Sequence, residues 1–255
     1  MIRARILGSG TSNGVPSLAK TYSEEYLANP RNHRTRPSLL LRTESTTVLV
    51  DCTPEMRLQL LAAKTDKLDA VILSHAHADH IMGMDDLRPF SLHTGEPVVI
   101  YAWEEVEQAV RRIYPYAFKD FPPGIFVPRF DMRRLEAFHT FGNIAVEILP
   151  VMHGQMRVAG IKVGRFAYLT DVNFIPEDIW PKLQNLDILV LDAVRRRPHP
   201  HHFNLEQALE VAGQLAAKRT ILTHLSDDYD HDVDNASLPP RIELGYDGLE
   251  FEIEV

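Results

Sequence analysis

Between residues 75 and 80 the chain reads HAHADH, three histidines and one aspartate in six positions. Imidazole nitrogens and carboxylate oxygens at that density are donors for a divalent cation. His75 and His77 lie two apart, so in extended chain both project to the same side and can reach one ion. Asp79 and His80 are adjacent and project differently; they suit a second ion if the chain turns into a helix there. As plain surface polarity the four would have no reason to crowd.

Each ion still lacks ligands, and single acidic or imidazole residues stand where other apolar segments stop: Asp51 after VLV, His153 after LPVM, Asp171 after AYLT and His224 after ILT. Sheet proteins flanked by helices bind ligands where strand ends and their loops converge. The reading that follows places His75, His77 and His153 on one ion and Asp79, His80 and His224 on the other. Asp171 bridges them, because only a carboxylate has two oxygens to share. Asp51 is expected to orient a ligand histidine through its ring N–H.

Nine short segments rich in Val, Ile and Leu read as strands: 4–10, 37–43, 46–51, 69–75, 96–102, 143–153, 165–171, 186–193 and 219–225. Three helices separate some of them. One runs from Thr53 as N-cap and Pro54 as first helical residue through Met56, Leu60 and Ala63. The second, over 104–113, turns Val106, Ala109, Val110 and Ile113 inward. The third begins at Asn204 with Gln207 three residues on and buries Leu205, Ala208, Leu209, Ala212 and Leu215. The aromatic and Pro-rich stretch 114–130 reads equally well as a packed loop beside the site and as a surface excursion.

The chain has 255 residues, 45% hydrophobic and 24% charged, the balance of a folded globular protein. No boundary between domains is visible, so a single domain over 1–255 is expected. Its only cysteine, Cys52, excludes an internal disulfide and a cysteine-based zinc knuckle. A formal net charge of -8 argues against a broad nucleic-acid footprint. No apolar run is long enough to span a bilayer, and MIRARILGSG lacks a secretory h-region, so a cytoplasmic location is expected.

HAHADH resembles the H-x-H-x-D-H signature of the metallo-β-lactamase superfamily, and the order His153, Asp171, His224 matches that superfamily's downstream ligands. GSGTSNGVPS (8–17), HADHIMGMDDLRPF (77–90), HHFNLEQAL (201–209), ILTHLS (221–226) and LPPRIELGYDGLEFEI (238–253) are similar to its phosphoribosyl cyclic phosphodiesterase (PhnP-like) branch. The resemblance implies an α/β (α+β) fold, an αββα sandwich of two mixed β-sheets flanked by helices. It also implies that His202, ahead of the Asn204 cap, is the substrate-side histidine; His199 and His201 are weaker candidates. Two departures stand out. Residues 17–37 contain no cysteine where relatives often hold a structural zinc, so that loop must be held by packing or differ in shape. Asp227 stands where relatives often have His.

These readings point to a dinuclear hydrolase with two divalent ions, Zn²⁺ or Mn²⁺, whose bridging hydroxide attacks a small, preferably cyclic, phosphodiester. Asp79 and His202 are the residues placed in the reaction, His202 protonating the leaving group. No stable nucleic-acid complex and no membrane are expected as partners, and a homodimer is common among such enzymes. The rival readings are an RNA-processing nuclease of the tRNA 3′-end type and a non-hydrolytic accessory protein of pyrroloquinoline quinone biosynthesis.

Overall fold

A computed structural model describes residues 1–122 and 124–254. Among these residues fourteen strands form two seven-stranded sheets. The first contains β1 (Ile2–Gly8), β2 (Ser38–Arg42), β3 (Thr47–Val50), β4 (Ala70–Ile72), β5 (Val98–Ala102) and β6 (Phe130–Arg134), with β14 (Glu250–Ile253) outside β1. The second contains β7 (Phe138–Phe141), β8 (Ile144–His153), β9 (Met156–Val163), β10 (Phe166–Leu169), β11 (Ile188–Asp192), β12 (Arg219–Thr223) and β13 (Ile242–Leu244) in sequential order.

Each sheet is mixed, and the two are built alike. β14, β1, β2 and β3 run antiparallel and β3 to β6 parallel. β7 to β10 run antiparallel and β10 to β13 parallel. Parallel neighbours deliver their C-terminal ends to one edge. β8, two antiparallel steps from β10, points the same way. All the donors expected at strand ends are therefore carried to a common rim.

Side-chain alternation explains the layering. Inner-face residues such as Ile6, Leu41 and Val50 pack against Ile148, Ile161 and Tyr168 of the other sheet. The opposite face of the first sheet is covered by α2 (Met56–Ala62) and α5 (Glu104–Ile113), and that of the second by α6 (Leu205–Leu215). The result is the expected αββα sandwich. Ile161 is fully buried between the sheets. Ile161→Ala is expected to lower the stability measured by urea unfolding by about 2–5 kcal/mol, the usual range for a buried large-to-small change.

Three helix details differ from the sequence reading. α2 starts at Met56 with Glu55 at its N-cap and no side-chain cap. The Thr53 hydroxyl instead donates to Gln59 at 2.9 Å inside the core, so Thr53 and Pro54 precede the helix. α5 has the expected bounds, but Ile113 at its end is exposed. In α6 the Asn204 and Gln207 capping box is present, and Val211 joins Ala208, Ala212 and Leu215 on the buried face where Leu205 and Leu209 were expected. In the stretch 114–130, Tyr114 is buried and donates to the Ile81 carbonyl at 2.9 Å, and Tyr116 donates to Asp85 at 2.7 Å. Those bonds brace the segment that follows HAHADH, whereas Ile125 and Phe126 are exposed; Pro123 lies outside the described residues. No helix among the described residues is long and apolar enough to cross a membrane.

Candidate metal centre

The chain leaves β4 at Ile72 and runs extended through His75 and His77 before turning into α3 (Ala78–Ile81). The extended part puts the His75 and His77 rings together, and the helical turn redirects Asp79 and His80. Ligand atoms of His75, His77, His153 and Asp171 lie within 4.8 Å of one another, as do those of Asp79, His80, Asp171 and His224. Asp171 is common to both groups. Its Oδ1 lies 3.2 Å from His224 Nε2 and its Oδ2 lies 3.2 Å from His80 Nε2. All seven side chains named from the sequence meet at the rim, His77 half-buried and the other six buried.

Backbone geometry marks the same positions. Asp51, Asp171 and His224 each adopt positive φ, 67°, 52° and 59°. A residue other than glycine rarely occupies this region, and at a strand end it costs stability unless the surroundings hold it there. Here Asp171 and His224, which follow strands of the second sheet, come up to His80 and Asp79, which follow a strand of the first, while Asp51 meets His80 at the edge of its own sheet. Backbone hydrogen bonds tie the sheets together at this rim: Ala159 N–H donates to Ser74 O at 3.0 Å, Leu225 N–H to Ser9 O at 2.8 Å and Thr11 N–H to Leu225 O at 3.0 Å.

Behind the ligands, Asp51 accepts from His80 Nδ1 at 2.7 Å and from Ser74 N and Oγ, both at 2.7 Å. His153 Nδ1–H donates to the His201 carbonyl at 2.6 Å. Each bond fixes the tautomer that leaves Nε2 facing the centre. Asp51→Asn keeps a residue tolerant of positive φ but removes the anionic acceptor. It is expected to weaken metal binding about 10–100-fold in a chelator competition, with little change in the circular dichroism spectrum; unaltered affinity would refute that role.

Two observations test whether these residues suit metal ions. His75 Nε2, His80 Nε2, His224 Nε2 and Asp79 Oδ2 are buried and have no hydrogen-bond partner. Such atoms are costly unless something binds them. Moreover, Asp51, Asp79, Asp171 and Asp192 are all buried, and among the described residues no lysine or arginine pairs with any of them. Buried anions without a cation are strongly unfavourable. Burial pushes the His75, His77 and His153 imidazoles below their ordinary range, which keeps them neutral and able to coordinate. Burial also opposes charge on His80 and His224, but Asp171 and the neighbouring carboxylates overcome it, raising both, His224 to about 10. The protons held there stand where a cation is demanded, and the residues fit divalent metal ions.

His202, near the end of the loop leading into α6, is buried against this centre, its ring 4.4 Å from that of His153 and 4.6 Å from that of His224. Its Nδ1–H donates to Asp192 at 2.7 Å. Asp192 was not singled out from the sequence, although LDILVLDA ends as the other donor strands do. It also accepts from Val172 N–H at 2.9 Å, tying the loop after Asp171 to the same carboxylate. His201 contributes its carbonyl, and the His199 ring stands 4.7 Å from that of His202. Cys52 is fully buried and takes no part.

The cysteine-free loop is held by polar contacts with residues 227–232. Asp227 accepts from Lys20 at 2.8 Å and from the Tyr22 hydroxyl at 2.5 Å, and Asn32 donates to Asp230 at 3.1 Å. Backbone bonds in both directions join Val15 and Arg34 at 2.8 Å. The loop without cysteine is thus held by hydrogen bonds and an ion pair.

The model of a beta-lactamase superfamily domain matches residues 46–225. A solved structure described as a new diphosphatase from the PhnP family is 36% identical and superposes with a TM-score of 0.92 over 100% of this chain and 99% of its own. The chain belongs to the PhnP family of the beta-lactamase superfamily. Its fold and donor set are those of a metal-dependent hydrolase. This PhnP-family chain is also 36% identical over 257 residues to an octanoyltransferase of Porphyromonas gingivalis, covering 99% of the chain and 52% of that protein. It is 26% identical over 167 residues to a ribonuclease Z of Methanococcus maripaludis, covering 62% of the chain and 53% of that protein. The chain thus spans about half the length of these two curated relatives.

Proposed function

We propose that the protein is a dinuclear metal-dependent phosphodiesterase for small phosphodiesters, cyclic ones included. The observation that carries this reading is the meeting of seven donors in two groups that share Asp171, around buried imidazole and carboxylate atoms with no other partner. His75, His77 and His153 would hold one ion, Asp79, His80 and His224 the other, with Asp171 between them. Such ions lower the pKa of a bound water toward ~7 and neutralise the oxygens of a phosphoryl group. The protein's own groups supply the rest. Asp51 and the His201 carbonyl hold ligand rings in register. Asp192 orients His202 so that Nε2 holds a proton for the departing alkoxide, and burial of the surrounding rings excludes bulk water from that transfer.

The 36% identical structure described as a diphosphatase supports a second reading, cleavage of a diphosphate linkage at the same site. Both reactions displace an oxygen from phosphorus and need the same centre. The ribonuclease Z relative supports a third, but a net charge of -8 is unfavourable for gripping tRNA. The test is elemental analysis of purified protein, followed by chelation and re-addition of Zn²⁺ or Mn²⁺. Bis(p-nitrophenyl) phosphate, a 2′,3′-cyclic nucleotide and a dinucleoside diphosphate serve as substrates. Metal-restored turnover of the first two supports the proposal, and turnover of the diphosphate alone favours the second reading. Failure with all three, with tRNA retarded in a gel at moderate salt, would replace it by the third.

A further inference from the structure

Three loops meet beside the metal centre, and one side-chain amide joins two of them to each other. The turn after β8 begins at Gly154, residues 170–174 follow β10, and the segment HPHH, residues 199–202, leads toward α6. Asn173 Oδ1 accepts from the Gly154 N–H at 2.7 Å, and Asn173 Nδ2 donates to the Pro200 carbonyl at 3.0 Å. The main chain of this asparagine is itself fixed. Its N–H donates to the Met152 carbonyl at 2.9 Å, and Met152 N–H donates to the Phe174 carbonyl at 3.0 Å.

What the amide holds bears on the chemistry. One residue beyond Pro200, the His201 carbonyl accepts from His153 Nδ1–H at 2.6 Å, and His202 comes next. A main-chain carbonyl stays where its flanking peptides are held. On the far side Phe203 N–H donates to the Val172 carbonyl at 2.8 Å; on the near side the Pro200 carbonyl is held by Asn173. Among the described residues no main-chain hydrogen bond joins 199–202 to the turn at Gly154. The two are nonetheless in close contact, since a Cβ at Gly154, whose φ is 63°, would lie 2.7 Å from His201 Cδ2. Glycine lets the HPHH segment seat on the turn, and the asparagine latches it there. Only an amide of this size offers an acceptor to one loop and a donor to the other.

Resting on the phosphodiesterase reading above, we infer that Asn173 is a positioning residue: its amide locks the HPHH segment onto the turn after His153, and so sets the His201 carbonyl against a metal ligand and His202 against the departing oxygen. It is none of the seven donors and acts through them. A partner one step behind a metal ligand is worth about 10–100-fold, and a misplacement of about 1 Å in a reacting group can cost about 10²-fold.

The experiment uses the full chain loaded with Zn²⁺ and labelled with ¹⁵N-histidine, in which His153 Nδ1–H and His80 Nδ1–H are followed by NMR. In Asn173→Ala, solvent exchange of the His153 proton is expected to quicken by at least about tenfold, the loss of one supporting hydrogen bond or more. The His80 proton, held by Asp51, should be unchanged and serves as the internal control. With metal content unchanged, kcat on a 2′,3′-cyclic nucleotide should fall by at least about tenfold with KM within about twofold, and kcat on bis(p-nitrophenyl) phosphate by a smaller factor. Asn173→Asp keeps an acceptor for the Gly154 N–H but turns an oxygen toward the Pro200 carbonyl, so it should reproduce both effects. Unchanged exchange at His153, an effect confined to Asn173→Ala, or an equal loss on both substrates would overturn the latch. If the exchange result holds in both variants while the wild type turns over neither phosphodiester, the positioning role stands and the phosphodiesterase reading fails.

Discussion

Asp171→Asn is expected to strip the protein of metal and reduce metal-dependent turnover of bis(p-nitrophenyl) phosphate by about 10³-fold or more, while leaving the fold in place. The size follows from what a metal centre contributes to a phosphoryl transition state, several kcal/mol of charge stabilisation, with each 1.36 kcal/mol worth a factor of ten. Asp171 is the one residue common to both donor groups, so its loss touches both ions at once. His77, half-buried at the rim, belongs to only one group, and His77→Asn is expected to lose one equivalent of metal. The asparagine is chosen because Asp171 has a φ of 52°, a conformation that asparagine tolerates better than alanine. It therefore separates the charge from the turn. Metal per protein by mass spectrometry, thermal unfolding and kcat/KM together check the claim. Two equivalents of metal with ordinary turnover would show that Asp171 does not bridge.

The parts of this site legible in the sequence are those in which one residue type repeats at a fixed offset. His75 and His77 are two apart and Asp79 and His80 adjacent, and that spacing survives any tertiary arrangement of the remaining chain. His153, Asp171 and His224 were legible for a different reason: each stands at the end of an apolar segment, one buried on both faces in β10 and β12 and mainly on one face in β8. Asp192 carries the same mark at the end of β11 and was passed over, because a strand-final aspartate has no motif around it and its partner His202 is ten residues away in a loop. A cavity beside His199, lined by Lys20, Arg36, Arg195 and Arg197, was hidden more thoroughly. Its walls come from residues 11–36, 194–199 and 226–228, which only the folded chain makes neighbours.

Strands followed the same rule. The nine expected segments all appear, since central strands read as continuous apolar runs. The five that were not expected are β6, β7, β9, β13 and β14. Four of these form or approach the sheet margins, where one side of the strand meets solvent and the sequence carries charge, as in FDMRR and EFEI. β9 is central, but MRVAGIKV opens with two exposed residues and contains Gly160, whose missing Cβ makes room for Leu169 and Leu149. Its pairing with β8, in perfect register from Glu147 to His153, overrides that weak local preference.

His202→Ala is expected to separate substrates by their leaving groups. A histidine that delivers a proton in the transition state contributes about 10²–10⁴-fold when the departing oxygen is a poor leaving group, and far less when it departs readily as an anion. Hydrolysis of a 2′,3′-cyclic nucleotide, which releases an alkoxide, should therefore fall by at least about 10²-fold in kcat. Bis(p-nitrophenyl) phosphate, which releases nitrophenolate, should lose less than about tenfold. Asp192→Asn should move the two substrates in the same unequal sense but by a smaller factor, because the ring keeps its place while losing the acceptor that fixes Nδ1–H at 2.7 Å. Metal content must be measured in both variants, since His202 and Asp192 lie beside His224. An equal loss on both substrates with metal retained would mean that His202 binds the phosphoryl group without transferring a proton. A loss that tracks metal content would place it among the ligands.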